Sequence, residues 1–159
     1  VKTILFVCTG NICRSPMAAA LMRQRIANLG LSDQIQVLSA GVWAADGRPA
    51  SELAIATLAG RGIALGDHRS QAITIPLLEQ ADIVLVMEES HRRSLFHLAP
   101  QYLAKLFLLG ELVGQHEDIA DPVGGSPQEY ARTVALLETL IDSGLPGLLK
   151  RIEVDTNEA

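Results

Sequence analysis

The chain is poor in aromatic residues, with three Phe, two Tyr and one Trp among 159 residues, so any core must be aliphatic. It has only two cysteines, Cys8 and Cys13. Two thiols with four residues between them do not make a zinc ribbon, and no H-E-x-x-H occurs, so no metal site is indicated. Basic residues form no run, and the formal net charge is −5. That balance gives no support for binding nucleic acid or a membrane surface. Apolar stretches are short: residues 103–112 are broken by Lys105 and Glu111, well below the roughly 20 residues of a membrane span. The apolar run at residues 4–7 is too short for a secretory signal. Internal repeats, linkers and low-complexity segments are also missing. One cytoplasmic globular domain is the expectation, over residues 1–152, with residues 153–159 as a frayed tail.

What the chain does have is concentrated at residues 4–16. Ile4 to Val7 is a continuous apolar run, as in a strand buried on both faces. Ser15 followed by Pro16 signals a helix start, with Ser as N-cap and Pro at the first helical position. Between them runs a loop from Cys8 to Arg14. A tight strand–loop–helix turn aims backbone N–H groups inward and brings up the positive end of a helix dipole, which suits a tetrahedral dianion. Gly10 and Asn11 tolerate the left-handed backbone that such a curl needs. Arg14 can grip two phosphate oxygens with a planar fork that a lysine cannot copy. The same field favours the thiolate of Cys8. The G-x-x-x-x-G-K-[ST] type of phosphate loop is excluded, since neither its glycine spacing nor its lysine is present.

Along the rest of the chain, strands and helices alternate, which argues an α/β fold with a parallel sheet wrapped by helices. Helices are expected at about 15–29, 50–59, near 74–76, at 88–98 and from 127; strands at 34–40, 83–87 and 105–109. The last of these strands reads Lys-Leu-Phe-Leu-Leu, for which a helix is also possible. Ser126-Pro127-Gln128-Glu129 is a capping box, followed by Tyr130, Val134, Leu137 and Ile141 at helical spacing. Gly144 and Pro146 are expected to interrupt that helix before a final turn or two. Right-handed crossovers would place a ligand at the carboxyl ends of the strands, where Cys8 lies.

Cys8-Thr-Gly-Asn-Ile-Cys-Arg-Ser-Pro16 resembles the phosphate loop of the low-molecular-weight protein tyrosine phosphatases. The resemblance continues through Ser39-Ala-Gly41, Asp67-His-Arg69, residues 81–87 and Asp121-Pro122, nearly the whole chain in order. It implies a single-domain, four-stranded flavodoxin-like sheet, no cofactor, and settles 105–109 as the fourth strand. By the resemblance, Cys8 is the nucleophile, and Thr9, Gly10, Asn11, Ile12, Cys13, Arg14 and Ser15 surround the phosphate. Asp121 is the general acid, and then the base for the water that clears the phosphocysteine. Asn11, Ser15, Ser39 and His68 support the loop. Cys13 matches a cysteine that captures oxidised Cys8 as a disulfide in several members; a small side chain packed under the first helix is the alternative. His91, His97 and His116 are left as surface residues. The implied partners are phosphorylated proteins, and the chain is taken as a monomer.

Selectivity should come from the pocket walls, Ile12, Trp43 and Val123, because an apolar wall suits a phenyl ring. Phosphotyrosine enzymes of the family usually carry Ile or Leu where Ile12 stands, and the related arginine phosphatases typically Thr. Val123 departs from the aromatic usual in both groups, while Asp121-Pro-Val-Gly-Gly-Ser126 is more similar to the arginine enzymes. Ile12 lies inside the pocket and is given more weight, so phosphotyrosine is the expected substrate and phosphoarginine the alternative. A thioredoxin-coupled arsenate reductase would need relay cysteines beyond Cys13, and the chain has none. A non-catalytic phosphopeptide-binding module could lose nucleophile or acid, yet both Cys8 and Asp121 are present.

Overall fold

A computed structural model describes residues 1–156. Four strands, β1 (Lys2–Cys8), β2 (Ile35–Gly41), β3 (Ile83–Val86) and β4 (Leu106–Leu108), form one sheet in the order β2-β1-β3-β4. All three pairings are parallel. Among the described residues five α-helices accompany them: α1 (Arg14–Asn28), α2 (Glu52–Ala59), α3 (Ile75–Gln80), α4 (Glu89–Leu98) and α5 (Pro127–Arg151).

Side-chain alternation along the strands sorts the core into two layers. Ile4, Phe6, Ile83 and Leu85 point to the face covered by α1, α2 and α5. Leu5, Val7, Val84 and Val86 point to the other, against Leu78 of α3 and Leu95 of α4. Both central strands are thus apolar on both faces, which is why residues 4–7 and 83–86 read as unbroken apolar runs. Cys8 continues the Ile4–Phe6 alternation and so falls on the α1/α5 side. The strand order reverses at β1, whose neighbours are β2 and β3, and such a switch point opens a crevice at the carboxyl ends of β1 and β3. Among the described residues no helix is long and apolar enough to cross a membrane.

Three expectations are corrected. The fourth strand is shorter than expected, Leu106–Leu108, and is flanked by 3₁₀ turns at Pro100–Lys105 and Leu109–Val113. Its leucine-rich sequence, lacking β-branched residues, carries no strong strand preference of its own. α5 is not interrupted at Gly144 or Pro146 but runs on to Arg151. Leu145, Leu148 and Leu149 extend the buried stripe of Leu137 and Ile141, and this burial offsets the proline penalty of ~3 kcal/mol. Gly144 is where α5 meets the 3₁₀ turn after β4: a Cβ there would lie 2.8 Å from Leu112 Cβ. α1 begins at Arg14, one residue before the expected cap, and no side chain caps it.

At the carboxyl end, Ile152 is buried and Val154 packs on the core, its N–H donating to Leu149 O. The rest of the expected tail, 157–159, lies outside the described residues.

Candidate active site

The uncapped start of α1 is the first clue to a ligand. Ser15, expected to cap it, is buried and turned into the loop instead. Asn11 Nδ2 donates to Ser15 Oγ at 2.8 Å, and Ser15 Oγ lies 2.9 Å from Cys8 Sγ. A hydroxyl that accepts from Asn11 still has its one hydrogen to give, and Cys8 Sγ at 2.9 Å is nearer than the Ala40 carbonyl at 3.5 Å, so Ser15 can donate to a Cys8 thiolate.

Asn11 sustains the curl. It is the one loop residue in the left-handed region, with φ 56°, while Gly10 does not use that freedom. A non-glycine residue there is strained and must be held by its surroundings. Every polar group of its side chain is engaged: Nδ2 reaches Ser15 and Ser39 Oγ (2.9 Å), and Oδ1 accepts from Gln71 N–H (2.9 Å). Its backbone carbonyl lies 2.7 Å from His68 Nε2, which must donate, because a carbonyl can only accept. Gly41 is needed for a different reason. A Cβ on it would overlap the Thr9 carbonyl and sit 3.0 Å from Asn11 N. The structure therefore brings Asn11, Ser15, Ser39 and His68 together around one loop.

Arg14 is almost completely buried, at 1% exposure. Its Nη1 donates to Ile119 O at 2.7 Å and pairs with Glu88 at 3.0 Å. The opposite edge of the guanidinium is hardly used. Nη2 reaches only Thr9 Oγ1 at 3.4 Å and Asp121 Oδ2 at 3.5 Å, and Nε has no hydrogen-bond partner among the described residues. A buried N–H without a partner is rare and needs an explanation. The free Nε and the weakly engaged Nη2 lie on one edge of the guanidinium, with the geometry of a fork for two oxygens of an anion.

Cys8, Thr9, Gly10, Ile12, Cys13, Arg14, Asp121 and Val123 line a cleft of about 180 Å³. Asp121 sits at its rim, half-exposed, with Oδ1 accepting from Val123 N–H at 3.1 Å. That turn leaves Oδ2 toward the Arg14 side. Two bonds tie the Asp121 loop to the end of β3: Ile119 N–H to Met87 O and Glu89 N–H to Asp118 Oδ1. Val123 is 55% exposed. Trp43, on the loop after β2, is 87% exposed and lies outside the residues that line the cleft.

Cys13 points away from solvent, at 3.2 Å from Tyr130 Oη and 3.4 Å from Ser51 Oγ. Burial pushes its thiol pKa up, against the lowering effect of the Ser51 and Tyr130 hydroxyls. Tyr130 is likewise raised to about 12, first by burial and then by its hydrogen bond with Cys13.

Four residues of this arrangement, Glu88, His91, Ser51 and Tyr130, escaped the sequence reading. His91 is corrected outright: it is 2% exposed, not on the surface. A signal existed, because His91 stands three residues after the N-cap of α4, where a capping-box side chain turns back. His97 and His116 are exposed, as expected.

Burial depresses the pKa of both His68 and His91 below the ordinary 6.5. For His91 the Arg14 charge adds to this, and for His68 the Asn11 carbonyl opposes it. Below an unfolded value of about 6.5 the unfolded chain binds more protons than the folded one. The stabilisation is therefore fully present above that pH and is lost as pH falls through the folded values. Urea midpoints should decline as pH is lowered from 7 through that window, and His68→Gln should flatten the decline. An unchanged slope in the variant would remove His68 from the linkage.

A parallel α/β sheet with an arginine-closed anion loop at the end of its first strand defines a phosphate-handling domain. The family model for low molecular weight phosphotyrosine protein phosphatase matches residues 3–157, and the chain belongs to that family. Among its relatives is the protein-arginine-phosphatase of Bacillus subtilis (strain 168), 42% identical over 87% of this chain and 91% of that protein. The low molecular weight protein-tyrosine-phosphatase Etp of Escherichia coli (strain K12) is 34% identical over 86% of this chain and 88% of that one. A solved structure of the arginine phosphatase YwlE, a Cys-to-Ser mutant with a phosphorylated active-site serine, superposes with a TM-score of 0.88. It is 40% identical and covers 93% of this chain and 95% of that one. The four-stranded fold and the phosphatase class that the resemblance along the chain implies are therefore borne out.

Proposed function

We propose that the protein removes phosphate from phosphotyrosine in proteins through a phosphocysteine on Cys8. One observation carries the reading: a buried Arg14 whose Nε has no hydrogen-bond partner among the described residues and whose Nη2 makes only long contacts to Thr9 and Asp121, in a cleft shared with Cys8. The loop amides and Arg14 hold the phosphoryl oxygens before reaction begins and stabilise the charge that gathers on them. The Cys8 thiolate attacks phosphorus, the phosphorus–oxygen bond to the phenol breaks, and the departing oxygen takes a proton from Asp121. Water then attacks the phosphocysteine, giving its proton to Asp121 as the sulfur–phosphorus bond breaks. Ser15 O–H receives the returning thiolate, which eases that second departure. The phosphorylated active-site serine of the YwlE mutant supports a covalent phosphoryl intermediate at the equivalent place.

Ile12 supports phosphotyrosine over phosphoarginine. Its branched apolar side chain lines the cleft, where a phenyl ring packs well and a guanidinium would find no hydrogen-bonding wall. The second reading, protein-arginine phosphatase, is favoured by the Bacillus subtilis relative and by the lid sequence Asp121-Pro-Val-Gly-Gly-Ser126. Assayed side by side on phosphotyrosine and phosphoarginine peptides, the wild type should prefer the former. Ile12→Thr keeps the β-branch, adds a hydroxyl, and should shift the ratio toward phosphoarginine. A wild type that already prefers phosphoarginine refutes the tyrosine reading and makes the lid the better guide.

A monomer working in the cytoplasm completes the proposal, since a thiolate nucleophile needs a reducing compartment. Cys13 would protect that nucleophile. Peroxide converts the Cys8 thiolate to a sulfenic acid with loss of water. The Cys13 thiol then displaces a second water and closes a disulfide that dithiothreitol reopens. After peroxide and then dithiothreitol, wild type should regain most activity and Cys13→Ser little. Equal recovery removes Cys13 from the scheme.

A further inference from the structure

His91 occupies the crevice between β1 and β3, and the reaction scheme above leaves it without a role. It lies on the first turn of α4, buried, and two of its contacts fix its state. Nδ1 accepts from Glu88 N–H at 3.1 Å, so it carries no proton and the ring hydrogen resides on Nε2. Nε2 lies 2.9 Å from Thr9 Oγ1 and 3.2 Å from Glu88 Oε2. Burial and the charge of Arg14 hold the ring neutral, against the pull of Glu88, Asp118 and Asp121.

The consequence falls on Thr9. Its oxygen faces two N–H donors, His91 Nε2 at 2.9 Å and Arg14 Nη2 at 3.4 Å. The single Nε2 hydrogen is nearer Thr9 Oγ1 than Glu88 Oε2, at 2.9 against 3.2 Å; given to Thr9, it engages the second lone pair and leaves the hydroxyl only its own hydrogen to give. Among the described residues no protein acceptor takes it, and Thr9 lines the cleft beside Cys8 and Arg14.

We propose that His91 is a positioning residue that locks Thr9, so that the threonine hydroxyl donates to an oxygen of the bound phosphoryl group. This rests on the cleft being the phosphate site. Thr9 thereby becomes a side-chain donor alongside the loop amides and Arg14. Glu88 faces both His91 and Arg14 and joins the two in one network.

The test is a double-mutant cycle on the full chain, read as competitive inhibition by inorganic phosphate, with kcat and KM for an aryl phosphate beside it. Thr9→Val keeps the branched shape and removes the hydroxyl. It should weaken phosphate inhibition by about tenfold, as for one hydrogen bond to a charged group. His91→Leu should lose most of the same factor in the wild-type background and almost none in the Thr9→Val background. His91→Gln can accept from Glu88 N–H in capping-box fashion and donate at the Nε2 position, so it should recover most of the loss. Thr9→Val binding phosphate like wild type overturns the proposal, as does an equal penalty for His91→Leu in both backgrounds, which marks a merely structural role. Should His91→Leu not fold, Thr9→Val and His91→Gln still decide, the latter by losing what it is expected to keep. A wild type that phosphate does not inhibit at all overturns the cleft reading together with this one.

Discussion

Cys8→Ser should lower turnover of an aryl phosphate by roughly 10⁴-fold or more, the scale seen when a nucleophile is removed from an intact site. Binding of oxyanions should survive. The loop that grips the anion is held by Asn11, Ser39, His68 and Gln71, none of which touches the sulfur. Arg14 is held by Ile119 O and Glu88, also independent of Cys8. Serine lacks a thiolate, so attack on phosphorus slows and any phosphoserine that forms stalls for want of a good leaving group, while the fork and the amides stay in place. Inhibition of wild type by phosphate, compared with direct binding of phosphate to the variant, separates the two roles. Turnover near the wild-type rate would sink the nucleophile assignment.

Asp121→Ala comes second in expected size. Removing a general acid typically costs ~10²–10⁴-fold. The loss should be steep for phenols of high pKa, which cannot leave unprotonated, and shallow for nitrophenols, which can. Asp121→Asn is the useful control. Its amide oxygen can still accept from Val123 N–H and so keep the turn that shapes the lid, yet it has no acid proton to give. If both variants slowed both kinds of substrate equally, Asp121 would be acting through loop shape or through its 3.5 Å contact with Arg14. Equal slopes for wild type and variant on a leaving-group plot would reassign the acid.

Local chemistry made much of this legible from residues alone. The run of residues 4–7, the spacing of Cys8 and Arg14, and Pro16 just beyond them define a strand, an anion loop and a helix within thirteen positions. Chain-order alternation led to the parallel sheet. The Ser126 cap was visible as well, and its hydroxyl accepts from Glu129 N–H at 3.2 Å. What escaped was decided by contacts distant in sequence. His91 is brought to Thr9 across 82 residues, and Tyr130 to Cys13 across 117, and no local pattern announces either meeting. Ser15 reads locally as an ordinary cap, and its place beside Cys8 comes only from the family resemblance, because the demand on its hydroxyl from Asn11 and Cys8 arises once the loop is closed. Pro146 was misread as a break because its cost is local and the burial of Leu148 and Leu149 that outweighs it is not. Arg14 was recognised as an anion ligand, but its burial and its two protein partners on one edge could not be inferred from spacing.

The covalent step on Cys8 is the centre of the account, and acid quenching during turnover tests it most directly. With Asp121→Ala and a nitrophenyl phosphate, whose leaving group needs no proton, attack should outrun the base-assisted attack of water, so phosphoenzyme should accumulate. Peptide mass spectrometry of the quenched sample should then place one phosphoryl group on the Cys8 peptide, acid-stable enough to be read and absent from Cys8→Ala treated alike. Full turnover with no phosphoryl group on Cys8 at any quench time, or the label on another residue, would contradict it.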